Sequence, residues 1–380
     1  MKRQSITRLA SLLILTLALA GLFMFQGCSD SEVSPVSPAS READSLVREF
    51  GSLNPRLREV MTIQESYTPS LMSSPEVIGT ATTFTEDGEP AVLILVTSEK
   101  AVTRMPANLD GARVEILLTD PIVAMKGRPG GGGGGGGVSH TAIQTPPIQL
   151  GCSGGWRHDL ANGYCCGGTL GSLIQVGGQL RILSNYHVFE ADIVNGGNGR
   201  SASTGDPIIQ PALIDIGCNA ASGQDVATLV VSRALPNSNV DASTANIISG
   251  MVDPGGAILE IGTLSSQTAG AFIGQAVKKS GRTTGLTRSS ISGLNATISV
   301  AYENECAGGS AFTKTFTGQI VIKNKASKFL AGGDSGSLMV EDVTTNPRAV
   351  GLLFAGSSTT AIANPIDEVL NHFNATMVGN

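Results

Sequence analysis

The 380 residues predict a mainly β fold, on three observations. Glycine is over-represented at 48 residues, aromatics are sparse at 4%, and short apolar runs recur between Gly, Ser and Asn along the C-terminal part of the chain. Such evenly spaced runs, rich in Val, Ile and Thr, build sandwiches or barrels. Charged residues are only 15% against 41% apolar, so a wholly disordered chain is excluded. A net charge of −6 leaves no basic footprint for nucleic acid, and six cysteines are too few for a disulfide scaffold.

The elements follow in order. Lys2, Arg3 and Arg8 precede an uncharged run from Leu9 to Phe25, then Gly27 and Cys28, which reads as a signal peptide over residues 1–28. A cysteine behind a small residue at this point resembles the bacterial lipoprotein site, with Cys28 acylated and forming the mature N-terminus. Plain secretion and an uncleaved anchor are the alternatives, and all three place the chain outside the cytoplasm. Residues 29–40 are rich in Ser and Pro and form a tether.

Residues 41–127 make a small α+β domain. Leu46, Val47, Phe50, Leu53 and Leu57 recur at helical spacing. Val77–Thr83, Ala91–Thr97 and Val114–Leu118 are strands, with Asp87-Gly88 as a hairpin turn. Residues 128–150 are a linker around Gly130–Gly137; no Gly-Lys-Ser/Thr follows, so this is not a phosphate loop.

From Gly151 to Asn380 the predicted strands are Leu170–Val176, Leu180–Leu183, Val226–Val231, Ala257–Ile261, Ala276–Lys279, Ala296–Tyr302, Gly318–Ile322, Gly336–Val340 and Val350–Phe354. A C-terminal helix is capped by Asn364, starts at Pro365, and carries Ile366, Val369, Leu370 and Phe373 on one stripe.

Three segments carry chemistry. Gly332-Gly-Asp-Ser335-Gly-Ser could present a serine nucleophile beside backbone N–H groups aimed at an oxyanion, although a glycine-rich chain also makes such loops for turns alone. A base must then be a histidine, and there are four. His140 follows the glycine run and reads as mobile, His158 lies in a polar stretch, and His372 sits on the C-terminal helix. His187 instead ends the apolar strand Arg181–Phe189. An acid must hold the imidazole, and Asp225 and Asp241 compete, each at a strand entrance.

These residues resemble the chymotrypsin-like (trypsin-like) serine peptidases, in particular the bacterial extracellular branch. Leu183-Ser-Asn-Tyr-His187, Ser280-Gly-Arg-Thr-Thr-Gly285, Gly332–Ser337 and Val350–Ser357 carry the resemblance, in the family's order. It covers residues 151–380 and implies two six-stranded antiparallel β-barrels with a C-terminal helix. It also implies His187 as base, Asp241 as the acid with Asp225 as alternative, and Ser335 as nucleophile. Gly333 and Ser335 would form the oxyanion hole. Phe329 and Leu330 would line the base of the primary specificity pocket and Phe354 to Gly356 its wall. With no acidic residue at that base, an apolar pocket is expected.

The resemblance implies an extracytoplasmic serine endopeptidase acting on polypeptides. No cofactor, metal or nucleic acid is expected, and the membrane is met only through a lipid anchor at Cys28. The small α+β domain would be a pro-region. Without Cys28, five cysteines remain (Cys152, Cys165, Cys166, Cys218 and Cys306), an odd number with no pairing implied. Two alternatives stand beside this: an inactive surface binding module on the same fold, and an α/β-hydrolase esterase using Ser335, Asp367 and His372, which the serine at position 337 disfavours.

Overall fold

The computed structural model describes residues 55–127, 138–161, 164–190, 202–232, 234–302 and 312–380. The expectations for the signal peptide, Cys28, the tether and the glycine run lie outside these residues.

Helix α1 (Pro55–Leu71) opens on proline, whose fixed φ suits a first helical turn. Its buried stripe is Leu57, Val60, Gln64 and Thr68. Strands β1 (Val77–Phe84) and β2 (Pro90–Val96) form a hairpin whose turn uses Gly88 at φ 86°. Short helix α2 (Glu99–Val102), capped by Ser98, leads to β3 (Asn108–Leu109) and β4 (Ala112–Leu118). Every residue of β2 is buried, because its two faces enter two cores. Val92, Ile94 and Val96 pack with the α1 side, whereas Leu93 and Leu95 join a cluster containing Tyr186, Tyr302, Phe316 and Phe354. The period-two alternation of a strand makes that division.

After β5 (Val123–Ala124), a first barrel is built from β6 (Cys152–Trp156), a bent β9/β10 pair, β11, β14, β13 and β12. A short hairpin, β7 (Leu160–Ala161) with β8 (Tyr164–Cys165), intervenes before β9 (Gly168–Leu170), β10 (Ser172–Val176) and β11 (Gln179–Ser184). One-turn helix α3 (Tyr186–Phe189) precedes β12 (Pro207–Gln210), β13 (Gln224–Val230) and β14 (Ser243–Ile247). The predicted run Leu170–Val176 is split at Gly171, where a Cβ would stand 2.0 Å from the Gly336 carbonyl oxygen. Pairing of β6 with both β9 and β12 closes the barrel.

The second barrel comprises β15 (Ala276–Gly281), β16 (Gly285–Tyr302), β17 (Phe312–Lys323), β18 (Leu338–Glu341), β19 (Ala349–Gly356) and β20 (Thr360–Pro365). It closes through β15–β16 pairing. Each barrel thus has six strands, as expected. The predicted runs Ala296–Tyr302 and Gly318–Ile322 are the apolar ends of the long strands β16 and β17, whose other halves carry outward polar residues. Helix α4 (Ile366–Phe373) and β21 (Ala375–Met377), which pairs with β10, end the chain.

Ala257–Ile261 is not a strand. Gly256, Glu260 and Gly262 have positive φ, so the backbone turns and leaves only isolated bridges at Ile258. Nor does Asn364 cap α4: Pro365 holds that position, and the Asn364 amide is used elsewhere. One eleven-stranded sheet runs through the second barrel into the N-terminal segment, because β1 pairs antiparallel with β16.

Candidate active site

Antiparallel register brings the first two residues together. β11 and β14 pair Ser184 with Ser243, and continuing the register past the strand ends sets Tyr186 opposite Asp241. His187 is the next residue, on α3 rather than at a strand end as expected. Its Nδ1 lies 2.6 Å from Asp241 Oδ2, and its amide donates to Oδ1 at 3.3 Å. Both side chains are buried. The carboxylate therefore orients the ring with the proton on Nδ1, leaving Nε2 as the acceptor. No hydrogen-bond partner reaches that Nε2 among the described residues.

Asp241 is held on every side. Tyr302 donates its hydroxyl to Oδ2 at 2.7 Å. The Asp241 amide donates to Asn364 Oδ1 at 2.9 Å, and its carbonyl accepts from Asn185 Nδ2 at 2.7 Å. Burial, and then the neighbouring Asp241 charge, push the Tyr302 phenol well above its ordinary pKa, so it stays a donor. Asp225, the competing acid, is partly exposed and paired with Arg157; it does not contact His187.

The Ser335 loop needs its glycines. Gly333 and Gly336 have φ of 100° and 92°, and a Cβ on Gly336 would stand 2.2 Å from Ser184 Oγ. Asp334 fastens the loop to the Ser280–Gly285 segment. Its carboxylate accepts from the Thr283 and Thr284 amides at 2.9 and 3.1 Å and from Thr284 Oγ1 at 2.7 Å. Lys279 Nζ is 3.4 Å away, and Arg282 pairs with Asp215. Thr283 and Thr284 are thus the clamp for the residue preceding the serine, while Arg282 ties the same segment to Asp215. Ser335 Oγ donates to the Phe354 carbonyl at 3.1 Å, so the serine and histidine are not directly bonded to each other.

The chain's own residues fill the crevice. Val123 and Ala124 pair antiparallel with Gly356 and Ala355 on β19. The Met125 amide donates to the Phe354 carbonyl at 3.0 Å, and Gly333 N–H donates to the Met125 carbonyl at 2.6 Å. The Gly127 amide donates to the Gly167 carbonyl at 2.8 Å. Met125 packs in one apolar cluster with Phe329 and Leu330, and its methyl lies 3.2 Å from where a Gly356 Cβ would be. Lys126 Nζ lies 2.8 Å from Asp159 Oδ2. Ser335 is fully buried beneath this segment.

Of the expected pocket residues, Phe329, Leu330 and Gly356 surround Met125. The Phe354 ring points away, against Phe316 with centroids 4.9 Å apart, and only its carbonyl faces the crevice. His140 is buried, bonded to the Gly151 carbonyl and to Glu260, which overturns its reading as mobile. Asp367 and His372 are exposed on α4. Cys165 is bridged to Cys218, and Cys152 is the free cysteine among the described residues. Sequence reasoning missed Tyr302, Asn364, Asn185 and Asp159. Asn185 lay within the Leu183–His187 motif without a role assigned to it, and a neighbouring proline turned the Asn364 signal towards a helix cap.

The Nal1 C-terminal domain model matches residues 236–364, a span that includes Asp241 and Ser335 but not His187. No curated protein sequence matches the chain. Among solved structures, Thermobifida fusca protease A is similar at 21% identity, covering 61% of this chain and 99% of its own, with a TM-score of 0.40. A Nocardiopsis protease is similar at 19% identity, covering 59% and 97%, with a TM-score of 0.37. A glutamic acid specific serine protease stands at 19% identity, covering 60% and 100%, also with a TM-score of 0.37.

Proposed function

We propose that the protein is an extracytoplasmic serine endopeptidase of the chymotrypsin-like type. The carrying observation is the buried His187–Asp241 pair, with a free imidazole acceptor beside a crevice in which the Gly333 N–H already holds a peptide carbonyl. Once the Ser335 hydroxyl turns from Phe354 to His187, the imidazole takes its proton and the oxygen attacks the carbonyl carbon. The developing oxyanion draws on the Gly333 and Ser335 amides, and losing one such donor costs about two to three orders of magnitude in rate. His187 then returns the proton to the leaving amine, and water hydrolyses the acyl-enzyme.

The Cys165–Cys218 disulfide supports an oxidising compartment. Lipid attachment at Cys28 would keep the enzyme at the cell envelope. Residues 41–127 would act as a pro-region, and their C-terminal end lies across the crevice.

The test is labelling with a fluorophosphonate during incubation of the purified chain. The adduct is expected on Ser335 and lost in Ser335→Ala and His187→Ala. Wild-type protein that neither labels nor degrades unfolded protein would favour the inactive binding module instead.

A further inference from the structure

With Ser335 as the nucleophile of the proposed peptidase, the segment across the crevice lies where a substrate would. Its hydrogen bonds address one peptide bond. Val123 and Ala124 align on β19, the Met125 amide meets the Phe354 carbonyl, and the Met125 carbonyl oxygen receives the Gly333 N–H at 2.6 Å. Beyond that carbonyl, the Gly127 amide is tied to Gly167 at 2.8 Å. The backbone is therefore anchored on both sides of Met125–Lys126. The carbonyl held by the N–H of Gly333, two residues before Ser335, is that of Met125.

On the departing side, the Lys126 ammonium reaches Asp159 at 2.8 Å. Asp159 is 1% exposed, and besides the Lys126 ion pair no described residue donates to its carboxylate. Its backbone is fixed at both ends, the amide to the Trp156 carbonyl and the carbonyl to the Cys166 amide. A buried carboxylate with one ion-pair partner and a rigid mount favours a cation, because desolvation penalises the unpaired charge. Burial raises the Asp159 pKa, while the Lys126 and His187 charges act in the opposite direction.

We propose that the enzyme cuts its own Met125–Lys126 bond, and that Asp159 is a specificity-determining residue selecting a lysine or arginine immediately after the scissile bond. Methionine fills the pocket before the bond, between Leu330 and Gly356. In the step, Ser335 Oγ bonds to the Met125 carbonyl carbon and its proton moves to His187. The C–N bond then breaks, and Lys126 leaves as a free amine carrying that proton. Water cleaves the ester, giving the Met125 carboxylate and restoring the serine. Substrates would thus be read on both sides of the cut, by an unbranched apolar residue before it and a cation after it.

The experiment has two arms on the full chain. Intact mass and N-terminal sequencing of the incubated protein should give a fragment beginning at Lys126 in wild type and none in Ser335→Ala. Synthetic peptides carrying Met before the bond and Lys, Ala or Glu after it then give a ratio of kcat/KM values within each variant. The Lys-to-Ala ratio is expected to fall about tenfold in Asp159→Asn, and Asp159→Lys is expected to prefer Glu over Lys. A ratio internal to one variant is insensitive to how much protein folds. If Asp159 variants fold poorly, Lys126→Glu in the intact chain, expected to slow self-cleavage by at least about tenfold, tests the same pairing from the other side. Ser335-dependent cleavage at another bond, or an unchanged Lys-to-Ala ratio, overturns this inference and leaves the peptidase reading intact. Absence of all Ser335-dependent cleavage overturns both.

Discussion

Tyr302→Phe tests the support behind the imidazole. Asp241 Oδ2 receives two short contacts, from His187 Nδ1 at 2.6 Å and from the Tyr302 hydroxyl at 2.7 Å, and all three side chains are buried. A hydrogen bond to a charged group contributes about 1.5–3 kcal/mol, and removing this one opens no new solvent contact for the carboxylate. Folding stability should therefore fall by about 1.5–3 kcal/mol, measured by urea unfolding in a Ser335→Ala background that prevents self-digestion. In the active protein, kcat should fall by about threefold to thirtyfold with little change in KM, because the hydroxyl orients the carboxylate and touches no substrate. Asp241→Asn alone should lower kcat by about four orders of magnitude, through loss of the correct tautomer. The double variant closes a cycle whose coupling energy should be about 1.5–3 kcal/mol. Strict additivity, or a Tyr302→Phe protein with wild-type kcat and stability, would refute the claim that the phenol acts through Asp241.

Four further outcomes follow from the geometry. Asp225→Asn should leave kcat/KM within about twofold, since its partner Arg157 is partly exposed and a surface pair contributes little; a larger loss would reopen the choice of acid. Gly336→Ala should destabilise by at least about 1–3 kcal/mol and abolish peptidase activity, because a Cβ would meet Ser184 Oγ and the Thr169 carbonyl at 2.2 and 2.3 Å. Burial pushes the Cys152 thiol up to about 12, so its peptide should stay unalkylated in native protein at mildly alkaline pH and react on unfolding. The Asp159 carboxyl, raised by burial, should protonate at a higher pH than an exposed carboxylate; the Lys-to-Ala preference should therefore decline on acidification, beginning at a higher pH than an exposed carboxylate would give. A preference that is flat across that range would separate it from Asp159.

Both barrels were legible because their strands carry strong local signals. Runs such as Leu180–Leu183 and Val350–Phe354 are mostly apolar with Gly, Ser or Pro close by on each side, and β11 and β19 extend each by only a few residues. The Ser335 loop was legible for a different reason: backbone at positive φ beside neighbouring main chain admits only glycine, so its geometry is written in composition. Failures came where long-range partners decide. Tyr302 reads as the end of a strand, and nothing nearby in sequence says its hydroxyl will meet a carboxylate 61 positions away. His140 borders the glycine run, yet Glu260 and the Gly151 carbonyl hold its ring. Asn364 before a proline fits a cap locally, but the amide carries more hydrogen bonds by linking Asp241 to Gln319.

The continuous sheet has a kinetic consequence. Severing one peptide linkage removes a covalent tie but leaves every cross-strand bond between β1 and β16, and between β5 and β19, in place. The severed N-terminal piece would remain seated as a product. Onset of activity would then track its departure, becoming faster on dilution or when another peptidase digests the piece, and a freshly nicked sample would still behave as a stoichiometric complex.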